Sequence, residues 1–189
     1  MYTAGQLVFK YCDKFWEIPS SIKDVPTEFV IRCIVIFQWL KKLYTLLRTT
    51  NLTKTLKTMK SYYNHRVHHV MLIVGEYNGA IETFEYAPPI SKFDTYSSFP
   101  PTFKIGTWRK INDQDDPHEL DNICQEHEGQ AYDYLELLYY PVPLHILNKA
   151  GAYVCGSGVQ RILEEWTSVY MFGKPKVAMP SELADLLGV

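Results

Sequence analysis

The stretch His65-Arg-Val-His-His-Val-Met-Leu-Ile-Val-Gly-Glu-Tyr-Asn-Gly-Ala-Ile-Glu-Thr-Phe-Glu-Tyr86 decides the fold. Two apolar, β-branched and aromatic runs flank Glu76-Tyr77-Asn78-Gly79, and Asn-Gly is the dipeptide that best fits the paired positive φ angles of a tight hairpin turn. The sequence therefore predicts a strand over His65 to Val74 and a returning strand over Ala80 to Tyr86. Working outward, Leu7 to Tyr11 and Phe103 to Ile111 read as further strands. Pro88-Pro89 and Pro100-Pro101 bracket what reads as a polar loop. Asp24, Pro26, Thr27 and Glu28 together form a helix start before the apolar run Phe29 to Leu47. Asp113 to Pro117 supplies a second start, for a helix near His118 to Glu128. From Cys155, the apolar residues Val159, Ile162, Leu163, Trp166, Val169 and Tyr170 recur at helical spacing. Strands in hairpins and helices in separate runs give an α+β class, with a small antiparallel sheet packed against helices.

With 189 residues, 47% hydrophobic and 14% aromatic content, the chain is long and apolar enough to bury one core, and too poor in Gly and Pro for a disordered or collagen-like polymer. One domain over residues 1–189 is expected. Cys12, Cys33, Cys124 and Cys155 contain no C-x-x-C pair and are too sparse for a disulfide framework, so reduced thiols are expected. The start has no basic segment followed by an apolar stretch, so no secretory signal is expected; synthesis in the cytoplasm is expected, with delivery to a wall left to another agent such as a phage or virus particle. The uninterrupted apolar part of the first helix, Phe29 to Leu40, falls short of the roughly 20 residues a membrane span needs.

Charge is unevenly placed. Eight Lys and Arg and no acid lie between Phe29 and Gly75, leaving 11 basic and 21 acidic residues for the rest. Gln38, Lys41, Lys42, Thr45, Arg48 and Thr49 fall on one face of the helix, and Trp39, Leu40, Leu43, Leu46 and Leu47 on the other. A solvated face, a protein partner and an anionic membrane surface on residues 29–60 are the alternatives. Nucleic acid is not expected, because the basic stretch carries no binding motif and the remainder is acidic.

Cys155 stands where a loop meets a helix, followed by the small residues Gly156, Ser157 and Gly158. A thiol there points toward unpaired backbone N–H groups and the positive end of the helix dipole, which favours thiolate. The alternative is a small buried hydrophobe. A cysteine nucleophile needs a base that titrates near neutrality, and His69 at the entry of the hairpin suits that role. His65 and His68 lie close by, although His68 points to the opposite face of a regular strand.

The order of these features is similar to that of circularly permuted papain-like proteins of the NlpC type. His69-Val70 to Gly75, followed by Ala80-Ile81-Glu82-Thr83, resembles that family's His-Val-Gly-Ile-x-x-Gly and Ile-Glu-Ala hairpin. Gly129-Gln-Ala-Tyr132-Asp133-Tyr134 resembles its Gly-Lys-x-Tyr-Asp-Tyr element, and Val154-Cys155 its Phe-Cys-Ser-Glu-Leu nucleophile segment. Gly5-Gln6-Leu7-Val8-Phe9 resembles its opening Gly-Asp-Leu-Val-Phe, and Met179 to Leu183 its closing Ser-Pro-x-x-Leu. The likeness covers about residues 1–12 and 65–185. Residues 13–64 form a helical, basic and apolar insertion without a counterpart, and Gln6 and Gly156-Ser157-Gly158 depart from the pattern.

The resemblance implies a permuted papain-like fold and a Cys-His-Glu triad: Cys155 as nucleophile, His69 as base, and Glu82 as the residue that orients the imidazole. Hairpin pairing in which partner numbers sum to an odd value puts Glu82, and not Glu85, on the His69 face. Twist or a bulge has to bring the two together, since a regular hairpin sets Tyr86 or Pro88 opposite His69. Tyr132, Tyr134 and Gly156 would line the substrate groove; core packing is the alternative for the tyrosines, and a helix-start role for Asp133. The implied chemistry is cleavage of amide bonds, in peptidoglycan-type peptides such as those with γ-glutamyl links, without cofactor or metal. Two rivals keep the fold: a lipid acyltransferase similar to lecithin:retinol acyltransferase, and an inactive structural module. All enzymatic readings require Cys155 and His69 to meet in a cleft open to solvent.

Overall fold

A computed structural model describes residues 2–12, 25–62, 67–108, 116–133, 153–172 and 178–189. Five strands, β1 (Gln6–Tyr11), β2 (Val67–Tyr77), β3 (Ala80–Tyr86), β4 (Ser91–Tyr96) and β5 (Phe103–Thr107), form one open sheet in the order β4-β3-β2-β1-β5. All neighbouring pairs are antiparallel. Among the described residues five helices accompany it: α1 (Val25–Thr49), α2 (Leu52–Tyr62), α3 (Pro117–His127), α4 (Cys155–Thr167) and α5 (Pro180–Leu187). The protein is therefore α+β, as the sequence predicts.

The central hairpin forms where Asn78-Gly79 places it. Tyr77 pairs with Ala80 across the turn, and Asn78 and Gly79 have φ of 53° and 78°, the conformation for which Asn and Gly are best suited. The strand begins at Val67, within the predicted span, and residues 63–66, including His65, lie outside the described residues. Period-two alternation then sorts the side chains. Leu7, Phe9, Val70, Leu72, Phe84 and Tyr86 face the helices and are fully buried against Leu120 of α3, Val159 and Ile162 of α4 and Leu183 of α5. Each such side chain contributes about 1.5–3 kcal/mol on burial. Val8, Met71, Ile73 and Ile81 build a smaller cluster on the other face, roofed by Tyr96, Phe99 and Phe103.

Some elements differ from expectation. Residues 91–96, read as polar loop, are the edge strand β4; Phe93 packs edge-on against Phe84 with ring centroids 5.1 Å apart. Val169 and Tyr170, read as the end of the last helix, lie beyond it and are exposed, because Ser168 turns left-handed at φ 53°.

The first helix is turned over relative to its charge pattern. Its polar side faces the protein: Gln38 is buried, donating to the Val67 carbonyl (2.7 Å) and accepting from Ser181 N–H (2.9 Å). Lys41 pairs with Glu182 and Lys42 with Asp185, both on α5. Leu40 and Leu47 are exposed. Among the described residues, no helix is long and apolar enough to cross a membrane.

Candidate functional site

The site forms where the start of β2 meets the start of α4. Cys155 is the first residue of α4, behind an extended Val154 whose N–H donates to Ser157 Oγ at 3.2 Å. The N–H groups of this first turn have no acceptor within the helix, and with the positive end of its dipole they lie at the start of β2. Cys155 Sγ lies 4.0 Å from the His68 carbonyl oxygen. On the next residue, the His69 ring interacts with the thiol on one side and with Glu85 on the other; its Nε2 donates to Glu85 Oε2 at 2.6 Å. With Nε2 so engaged, Nδ1 is the ring nitrogen left for the sulfur.

Electrostatics follows from these contacts. Burial by itself lowers the His69 pKa, but the charge of Cys155, its hydrogen bond and Glu85 outweigh burial and raise it to about 9. Burial raises the Glu85 carboxyl; hydrogen bonding and charge from His69, with Lys10 assisting, more than reverse this and hold it well below the usual carboxylate range. His68 is pushed the other way, to about 3, by burial and by the neighbouring His69 and Lys10 charges, so it stays neutral. Glu85 is the hub: besides His69 it meets Lys10 Nζ at 3.1 Å through the same oxygen and Lys92 Nζ at 3.6 Å through Oε1. Lys10 is fixed further by the Tyr96 hydroxyl at 3.3 Å and by the Tyr96 and Phe103 rings.

The sequence expectation pairs His69 with Glu82, and the structure corrects it to Glu85. Glu82 stands opposite Gly75, well along the hairpin, where burial and the Asp121 carboxylate push its carboxyl up. The cause is a β-bulge. Pairing runs with an odd sum from Tyr77–Ala80 to Gly75–Glu82, then shifts at Val74, so that Ile73 faces Thr83 and Leu72 faces Phe84. An extra residue in one strand inverts the parity of everything beyond it, carrying Glu85 onto the His69 face.

Gly156 is also reassigned. A Cβ there would stand 2.4 Å from the Ala178 carbonyl oxygen, so its role is close packing of α4 on the segment leading to α5, not lining a groove. The Tyr132 side chain belongs to the core, with its N–H bonded to the Pro89 carbonyl, and Asp133 is buried beside it. Tyr134 lies outside the described residues. The cleft expected to be open is closed at the sulfur: Cys155 is 1% exposed and the His69 side chain 12%. Lys10 was not singled out in the sequence, and Glu85 was set aside by strand parity; Gly75, a glycine inside a strand pattern, was the available signal of a bulge.

Compared with protein-family models, curated proteins and solved structures, the chain gives no match. The functional reading accordingly stands on side-chain geometry and on the order of motifs along the chain.

Proposed function

We propose that the protein is a thiol-dependent hydrolase cleaving amide bonds through Cys155 and His69, with Glu85 as the positioning carboxylate, on a permuted papain-like fold. The observation that carries this reading is the His69 imidazole held between a thiol at a helix start and a buried, ionised carboxylate. The permuted fold draws support from the order of parts: the histidine hairpin precedes the cysteine helix, and both meet at one end of an antiparallel sheet.

The chemistry follows from the three groups. His69, protonated up to about pH 9, holds the proton shared by the Cys155–His69 pair, and the thiolate attacks the amide carbonyl carbon. First-turn N–H groups of α4, which have no acceptor within the helix, would receive the developing oxyanion. The imidazolium then gives its proton to the departing amine, leaving a thioester. Water, deprotonated by His69, attacks that thioester, and the carboxylic acid leaves as the thiolate is restored. Glu85 holds the ring orientation and compensates the imidazolium charge throughout. Peptidoglycan-type peptides with γ-glutamyl links are the substrate class that the motif resemblance favours. Because the sulfur is covered, turnover requires that cover to open.

Incubation with such peptides, read by mass spectrometry, tests the proposal. The expected result is release of the amine fragment by the native protein, its loss in Cys155→Ala and His69→Ala, and a peptidyl thioester on Cys155 after acid quench. Absence of any adduct or product, together with a Cys155 alkylation rate equal to that of an ordinary thiol, overturns it. A second reading, acyl transfer from lipid, is favoured by the outward apolar stripe of α1; a fatty-acyl adduct on Cys155 identifies it.

A further inference from the structure

Helix α1 spends its polar residues on its own protein and offers its apolar ones to solvent. Gln38, Lys41 and Lys42 are committed to Val67, Ser181, Glu182 and Asp185. On the opposite side, Ile36, Leu40, Tyr44 and Leu47 recur at helical spacing and are each more than 40% exposed. Beyond Asn51, α2 adds Leu52 and Leu56, one turn apart and more than 60% exposed. Scattered exposed leucines need no explanation, but large exposed apolar residues at helical spacing on two successive helices mark a surface that something covers.

Charge identifies the cover. No acid occurs from Phe29 to Gly75, and once α5 has neutralised Lys41 and Lys42, Arg48, Lys54 and Lys57 remain exposed on the same pair of helices. Apolar side chains on helices whose polar side carries cations alone match acyl chains beneath negatively charged headgroups, and the helices lack the length and apolarity to span, so they would lie in the interface plane. We propose that the α1–α2 pair docks the protein on an anionic lipid bilayer, stripe downward. The surface is separate from the Cys155 site and does not depend on its chemistry.

Flotation with phosphatidylcholine vesicles, with and without phosphatidylglycerol, tests this. The native protein is expected to float with the anionic vesicles and only weakly with the neutral ones. Raising ionic strength from about 0.1 M to about 1 M, which shortens screening from about 10 Å to about 3 Å, should release much of it. Lys54→Gln with Lys57→Gln should cut partitioning about 25-fold, at about 5-fold per charge. Leu47→Glu with Leu56→Glu should abolish it, with circular dichroism verifying retained helix; the lysine pair leaves the stripe intact and serves as the second variant. Failure of the native protein to float with either vesicle overturns the proposal. So does a native dimer that the Leu47/Leu56 variant converts to monomer without any vesicle binding, which would make the stripe a contact between copies of this chain.

Discussion

Glu85 Oε2 lies 2.6 Å from His69 Nε2 because β2 carries one residue more than β3 at Val74. Without that bulge, Glu85 would point into the helix-facing core and Glu82 would take its face. The register beyond the bulge, with Leu72 opposite Phe84, sets Glu85 diagonally across from His69, within reach of a glutamate side chain. A backbone irregularity at Val74, four residues before Asn78 of the turn, thus determines which carboxylate meets the imidazole.

Replacing the two glutamates separately measures this directly. Glu85→Gln should lower amide hydrolysis, and the rate of Cys155 alkylation at neutral pH, by about 10²-fold, in the range attributed to a displaced acid–base group. Glu82→Gln should leave both within about threefold of the native rate. The reverse order would return the positioning role to Glu82.

The raised His69 pKa gives a pH dependence with a definite sign. Its folded pKa of about 9 stands above the usual 6.5, so the protonated ring stabilises the fold fully below pH 6.5 and this stabilisation disappears as pH rises through 9. Urea midpoints of the native protein should fall over that window more steeply than those of His69→Gln. The His69 Cε1–H resonance should titrate near 9 and move toward the usual histidine value in Cys155→Ala. A resonance titrating at 6.5 in the native protein would contradict the ion-paired geometry.

Removing the hub and removing one spoke should differ. Glu85 is 4% exposed and faces Lys10, Lys92 and the imidazolium. Glu85→Gln strands partly buried cations and should cost about 3–5 kcal/mol in chemical denaturation, the scale for breaking a buried pair from one side. Lys10→Met keeps the aliphatic packing against Tyr96 and Phe103, leaves Glu85 with two cations, and should cost about 1–2 kcal/mol. Equal losses would mean that Lys10, not the carboxylate, anchors the cluster.

How much of this was legible depends on which interaction set each feature. The hairpin was readable because Asn78-Gly79 and the alternating apolar runs are local signals. The helix from Cys155 was readable because Val159, Ile162, Leu163 and Trp166 recur on one face. Cys155 and His69 could be paired from residue chemistry and motif order. Glu85 was hidden because parity arguments assume an unbroken ladder, and Val74-Gly75 breaks it. Strand β4 was hidden because flanking prolines read as loop, whereas its pairing with β3 is a tertiary contact. The inversion of α1 was hidden for the same reason: a helical wheel separates two faces but does not say which one finds Glu182, Asp185 and Ser181 waiting.

Gly156 and Gly158, after Cys155, read in sequence as a departure from the family's nucleophile segment and in the structure as packing. A Cβ on Gly158 would stand 2.2 Å from the Tyr86 ring, and one on Gly156 would meet the Ala178 carbonyl oxygen. Tyr86, at the end of β3, is fully buried against α4, and its hydroxyl is bonded to His127 of α3, so the ring is held in place from both sides. Gly158→Ala should therefore destabilise by about 1–3 kcal/mol through overpacking, and Gly156→Ala by a similar amount because the clash is with backbone. If Gly156 instead lined a substrate groove, Gly156→Ala would raise KM while leaving the unfolding midpoint unchanged. A lowered midpoint with KM preserved in the folded fraction is the outcome that packing of α4 against residues 178–180 requires.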